Sequence, residues 1–216
     1  MGFIYSELCS FGIMNNFRSE PFLWIHLAGI AVAPLSLQLV LLGLAVGEPL
    51  PLFWLELFIV GVFGVVPILL MQLTRPFDIF SVLLLSLHPD SLTVEQRKIL
   101  RSLKTRNIRI LTVVAAFAML GVLWELYLFA PLGAMTVATL PQWRILGLFI
   151  AAIGFLLSNL FVQIPIAIIG ILLTPQQQWL TIEPYTTEKI FQDFTVCGLR
   201  VQKILPIKVE FSSSSE

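Results

Sequence analysis

Four apolar stretches, roughly residues 22–46, 52–73, 109–130 and 145–173, hold almost none of this chain's charge. About 20 apolar residues wound as a helix cross a hydrocarbon core of about 30 Å, so each stretch is long enough to span. Inside a bilayer the backbone has no water to bond, and a helix satisfies its own N–H and C=O groups. The pattern therefore predicts an all-α, polytopic integral membrane protein built as a four-transmembrane-helix bundle. Composition agrees: 12% of the residues are charged, against about a quarter in soluble domains. Little of the 216 residues is left for a second domain. The expected organisation is an N-terminal arm (1–21), the bundle (22–173) with a middle loop (74–108), and a C-terminal tail (174–216).

Charge sets the threading, because cytoplasmic loops are enriched in Lys and Arg. The middle loop carries Arg75, Arg97, Lys98, Arg101, Lys104 and Arg106, with Arg109 at its edge. The arm adds Arg18, and the tail adds Lys189, Arg200, Lys203 and Lys208. The loops 47–51 and 131–141 hold no base. Twelve of the thirteen bases thus fall on one side, Arg144 being the exception. Both termini and the middle loop are expected in the cytoplasm. The tryptophans agree, since Trp favours the membrane–water interface: Trp24 and Trp179 flank one end, and Trp54, Trp124 and Trp143 the other.

Polar residues within spans are the first functional candidates, because they are costly there. Glu56, Glu125 and Arg144 share a depth near the non-cytoplasmic ends of spans two, three and four. One reading is an ion pair locking span four to span two or three. The other is a proton or cation site with Glu125 poised by desolvation. Pro34, Pro67 and Pro165 are expected to kink spans one, two and four. Gly29/Ala33, Gly43/Gly47, Gly147/Ala151 and Gly154/Ser158 have the spacing that lets helices approach closely. Gln38, Asn159 and Gln163 read as interhelical hydrogen-bonding residues. His26, near the cytoplasmic end of span one, is a candidate pigment ligand, or simply a hydrogen-bonded interface histidine.

Outside the spans, residues 77–87 are apolar but too short to cross, and read as a helix lying in the interface. Next, Thr93 and Gln96 have capping-box spacing. After them Ile99, Leu100 and Leu103 form one helix face, and Arg97, Lys98, Arg101 and Lys104 the other. This is a basic amphipathic helix suited to anionic lipid or a protein partner. The β-branched tail segment FTVCGLRVQKILPIKVEF predicts one or two short strands. It is too small to hold a core alone, and must dock on the loop, the membrane or a partner. Cys9 and Cys197 have no metal or redox spacing and are expected to be reduced thiols. No P-loop, dinucleotide fingerprint, HExxH or nucleophile elbow occurs. No cofactor, metal, nucleic-acid partner or enzymatic activity is expected.

The segments FRSEPFLWIHLAG, LGLAVGEP, RPFDIFS, LPQWRILG, SNLFVQIP and QDFTVCGLRVQKILP, over roughly residues 17–206, resemble the cyanobacterial family called low-complexity tail membrane proteins. Members begin near this chain's Met14, so residues 1–13 read as a dispensable extension. Their long Pro-rich tail is here a short Ser run. The family has no established function to carry over. The resemblance implies a cyanobacterial cell, hence a thylakoid or plasma membrane. The expected role is a non-enzymatic accessory or assembly factor of a membrane complex. The alternative is a small transporter or ion-coupled carrier using Glu56, Glu125 and Arg144.

Overall fold

The computed structural model describes residues 17–82, 85–196 and 199–201. Along the chain the helices are α1 (Pro21–Ala28), α2 (Ala33–Ala45), α3 (Phe53–Thr74), α4 (Val94–Leu103), α5 (Arg106–Phe129), α6 (Arg144–Leu172), α7 (Gln176–Thr181) and α8 (Thr187–Asp193). Four segments are long and apolar enough to cross a membrane: Pro21–Ala45, Phe53–Thr74, Arg106–Gly133 and Arg144–Leu172. Each lies within a few residues of an apolar stretch in the sequence. The protein is a multi-pass membrane protein and nearly all helical.

Span one joins α1 to α2 through a 3-10 turn at Gly29–Val32, just ahead of Pro34. Pro34 lacks the N–H that would close the α-helical bond to residue 30, and the preceding backbone tightens instead. By contrast α3 and α6 continue through Pro67 and Pro165 as unbroken helices.

Helix α6 is the centre of the bundle, packing against each of the other spans. Its small residues make this possible. A Cβ on Gly43 would stand 2.6 Å from the backbone nitrogen of Ala151, and one on Gly147 would stand 2.5 Å from the carbonyl of Gly43. The backbones of α2 and α6 therefore touch, as small residues at four-residue spacing permit. Further along the same crossing, the hydroxyls of Ser36 and Ser158 lie 2.8 Å apart. The polar bonds expected between helices from Asn159 and Gln163 run within α6 instead. Asn159 Nδ2 donates to the Phe155 carbonyl (2.9 Å), and Gln163 Nε2 donates to Asn159 Oδ1 (3.1 Å). Gln38 faces outward.

One end of the bundle carries the middle loop, the arm and the tail; it is the basic end. There the chain builds a cap whose apolar core runs on into the bundle through Phe22, Leu23, Ile108, Ile164 and Ile168. Residues 77–87 are not the interface helix expected. They form β1 (Ser81–Val82) and β2 (Leu85–Leu87), paired antiparallel, and β2 pairs in parallel with β3 (Leu199–Val201) from the tail. A helix this short gains little in isolation. The tail supplies a strand from more than a hundred residues away, and Ile79 and Phe80 become fully buried. A second seam sits one step earlier: Thr195 N–H donates to the Pro76 carbonyl, and Asp78 N–H donates to the Thr195 carbonyl. The tail thus docks on the middle loop, and it opens with two helices, α7 and α8, that its composition did not announce.

Helix α4 starts with the capping box its sequence predicts, Thr93 and Gln96 each bonding the other's backbone N–H. Ile99, Leu100 and Leu103 are buried against the bundle and the arm rather than lipid. Trp179 is no interface belt residue. It stacks on Phe17 with centroids 3.8 Å apart, is almost wholly buried, and its indole N–H donates to Glu95. Residues 1–13, with Cys9, and Cys197 lie outside the described residues.

Candidate functional site

At the end opposite the cap, one charged cluster ties three spans together. Helix α3 buries the row Glu56, Val60, Gly64, Ile68 and Gln72, four residues apart and hence on one face. This row turns Glu56, in the first turn of α3, toward the protein. Arg144 opens α6. Its Nε–H donates to Glu56 Oε1 at 2.6 Å, and Nη2 donates to Oε2, a two-pronged pair. Nη1 donates to the carbonyls of Leu44 (2.7 Å) and Val46 (2.9 Å) at the end of α2. The Leu50 N–H adds a bond to Glu56 Oε1 at 2.8 Å, and the Tyr127 hydroxyl reaches the same carboxylate. Glu56 is fully buried, and the Arg144 side chain is 10% exposed.

The charges suit their positions. An anion in the first turn of α3 and a cation on the last carbonyls of α2 both complement the helix dipoles. A buried pair survives desolvation only when its remaining donors and lone pairs are also bonded, and here they are. Neighbouring loops close over it. Gly47 follows the end of α2 with φ of 72°, the left-handed conformation that favours glycine. Its N–H donates to Gln142 Oε1 (3.0 Å), while Gln142 Nε2 donates to the carbonyls of Val137 and Leu140. We call this assembly the clasp. Gln142 and Tyr127 did not stand out in the sequence, and Gly47 did so only through its four-residue spacing from Gly43. Gly47 carried a further signal: a glycine between an apolar run and Glu48-Pro49 is a helix C-terminus pattern.

The three candidates do not converge. Glu56 and Arg144 meet, but Glu125 is exposed on α5 and has no hydrogen bond or ion pair with the described residues. Two apolar grooves lie between the spans, neither lined by Glu56, Glu125 or Arg144. One, of about 650 Å³, is lined by Leu52, Trp54, Phe58, Leu120 and Trp124 among others, with Trp54 and Trp124 stacked at 5.5 Å.

At the basic end the four loop bases have different surroundings. Arg101 is exposed, beside the Tyr185 ring. Lys98 pairs with Glu95 at 3.2 Å. Lys104 pairs with Asp193 at 3.3 Å and stands over the rings of Tyr185 and Phe194. Arg97 is half-buried, its carbonyl accepting the Tyr185 N–H while its Nε is buried without a partner among the described residues. Two of these bases therefore meet the tail through their side chains: Lys104 by an ion pair and ring contacts, and Arg101 over the Tyr185 ring. Exposed cations remain at Arg75, Arg101, Arg106 and Arg109. Tyr185 donates to Asp193; burial and that bond push the phenol up to about 12, and the same bond lowers the Asp193 carboxyl. Arg18 closes the far end of α6, donating to the carbonyls of Leu172 and Thr174.

His26 Nδ1 lies 2.9 Å from the Phe22 carbonyl, and its ring leans on Phe77. Among the described residues no group of His, Cys, Asp and Glu is placed to hold a metal ion.

The model of the low-complexity tail membrane protein-like family matches residues 19–206. This chain belongs to that family. No curated protein and no solved structure matches it. The clasp of this family member lies inside the matched region, as does the cap apart from Phe17.

Proposed function

We propose that the protein is a non-enzymatic accessory or assembly factor of a membrane complex, in a cyanobacterial thylakoid or plasma membrane as the family resemblance implies. In this reading the basic end faces the cytoplasm. Arg75, Arg101, Arg106 and Arg109 meet anionic lipid, and the cap offers a surface to a protein partner. The observation that carries it is how the charges are spent. At the clasp, Glu56 and Arg144 satisfy one another and the surrounding carbonyls, and Glu125 stands apart from them. A carrier needs a site that can bind and release, and that cluster is already fully bonded. At the basic end Arg75, Arg101, Arg106 and Arg109 are exposed.

The test is native electrophoresis of mildly solubilised membranes, with an Arg101→Glu/Arg106→Glu variant beside the natural chain. The natural chain is expected in a species well above its own mass, the variant displaced from it. A chain that runs alone, together with solute uptake by proteoliposomes containing only this protein, would overturn the reading in favour of a carrier. For orientation, an impermeant thiol reagent is expected to label Ser91→Cys from the cytoplasmic side and Met135→Cys from the other.

A further inference from the structure

Away from the basic end, Glu125 is the one charge in the spans that the fold leaves unused among the described residues. It sits about one helical turn, or roughly 6 Å, inside the Phe129 end of α5. Its face is an outward one: Phe117, Gly121, Leu128 and Glu125 itself are all exposed. Ionisable groups in a membrane almost always pair or face a protein interior. Glu125 does neither within this chain.

Gly121, one turn away on the same face, is the second observation. A glycine inside a helix costs stability relative to alanine. Most other bundle glycines recover that cost through close contact, as at Gly43, Gly64 and Gly147. At Gly121 an added Cβ would meet nothing within 4 Å. The chain itself gives no packing reason for a glycine there. A notch beside an unpaired carboxylate is what a second helix needs to approach closely and to place a charge against it.

The charge identifies the occupant. Arg144 is the only base at this end among the described residues, and Glu56 holds it. A second copy of this chain would therefore bring another Glu125 and no free cation. We propose that the Gly121–Glu125 face of α5 receives a transmembrane helix from a different polypeptide, one with a Lys or Arg within about a turn of its end. The proposal rests on the reading that this protein works within a complex, and names the chemistry of one partner.

The experiment places a photoreactive phenylalanine analogue at Leu128, on the same face, and another at Leu180, exposed at the basic end, in separate strains. Native membranes are irradiated and the crosslinked peptides sequenced. The expected peptide at position 128 comes from another polypeptide's apolar span and has a Lys or Arg near its end. Glu125→Gln should lower the yield about thirtyfold or more, the loss typical of removing one member of a desolvated charge pair. Gly121→Leu should lower it as well. Both variants should melt with the unaltered protein, since neither position touches the rest of the chain. A peptide from this chain itself, one without a base, or lipid adducts alone would overturn the proposal. Capture from position 180 but not 128 would overturn it while leaving the accessory role standing. Capture from neither, with the chain running alone on a native gel, would overturn both.

Discussion

The clasp and the cap solve the same problem, holding one end of a bundle closed, in opposite ways. The clasp does it with one fully bonded ion pair between the starts of two helices, reinforced by the carbonyls of a third. The cap does it with a distributed apolar core: Phe17, Ile79, Phe80, Ile99, Leu100, Trp179 and Ile190 come from the arm, the loop and the tail. A concentrated device fails when one atom is removed. A distributed one loses strength in small steps. The difference follows from burial: the clasp's two charges are sealed between helix ends and loops, whereas the polar bonds of the cap are partly exposed, where each is worth little.

The largest expected effect comes from breaking the clasp. Arg144→Met strands Glu56 in the interior and should destabilise by about 3–5 kcal/mol, the range for orphaning a buried charge. Unfolding in mixed micelles measures it. The exchanged pair, Glu56→Arg with Arg144→Glu, should recover less than half. A glutamate at 144 cannot donate to the Leu44 and Val46 carbonyls that Arg144 Nη1 now serves. Full recovery would mean that the ion pair alone, and not its carbonyl contacts, holds the end. Placing arginine at 125 opposite Arg144→Glu should recover nothing.

Next in size is Gly43→Leu, which forces the α2–α6 crossing apart and should cost about 2–3 kcal/mol by overpacking. The same unfolding assay reads it, and Gly121→Leu serves as the neutral comparison.

The cap should show a pH dependence of its own. Asp78 is almost wholly buried beneath the cap, and burial raises its carboxyl to about 6, partly offset by the Phe80 N–H it accepts. The unfolded chain ionises it near 4. Ionisation thus favours the unfolded state, so stability present at pH 4 falls as pH rises to about 6 and is level above that. Each tenfold difference in proton affinity between the folded and unfolded chain is worth about 1.4 kcal/mol, so the loss is about 2–3 kcal/mol. Glu20, also raised by burial, adds a slope of the same sign. Asp78→Asn keeps the acceptor and should flatten most of the dependence between pH 4 and 6. An unchanged profile would mean that Asp78 plays no part in it.

The smallest effect is expected from Tyr185→Phe. It removes the bond to Asp193 and should cost about 1 kcal/mol, the usual worth of one such bond. Faster proteolysis near residue 185 is the readout.

The spans were legible because hydrophobicity over twenty residues is a local property, and the four segments differ from the sequence reading only at their ends. The partner of Arg144 was half legible. A lone base among carboxylates announces a pair, but depth alone could not choose between Glu56 and Glu125. Helical phase could have chosen. Glu56 begins the row Val60, Gly64, Ile68, Gln72, which mixes small and polar residues as buried faces in membranes do, whereas Glu125 follows Phe117 and Gly121 on an outward face. The cap was the least legible part. Residues 77–87 became strands because a tail segment more than a hundred positions away completes their sheet, and no local pattern encodes a remote partner. For the same reason Trp179 looked like an interface anchor and turned out to be core.

Amide hydrogen exchange in nanodiscs, read residue by residue, tests the central contrast most directly. The N–H groups of Gly47 and Leu50, bonded to Gln142 and Glu56, are expected to exchange as slowly as amides in the middle of α6 and only through global unfolding. The N–H groups of Asp78, Tyr185 and Thr195, which stitch the tail to the loop, should exchange faster through a local opening that leaves the spans protected. Rapid exchange at Gly47 and Leu50, with a cap as protected as the spans, would contradict the contrast.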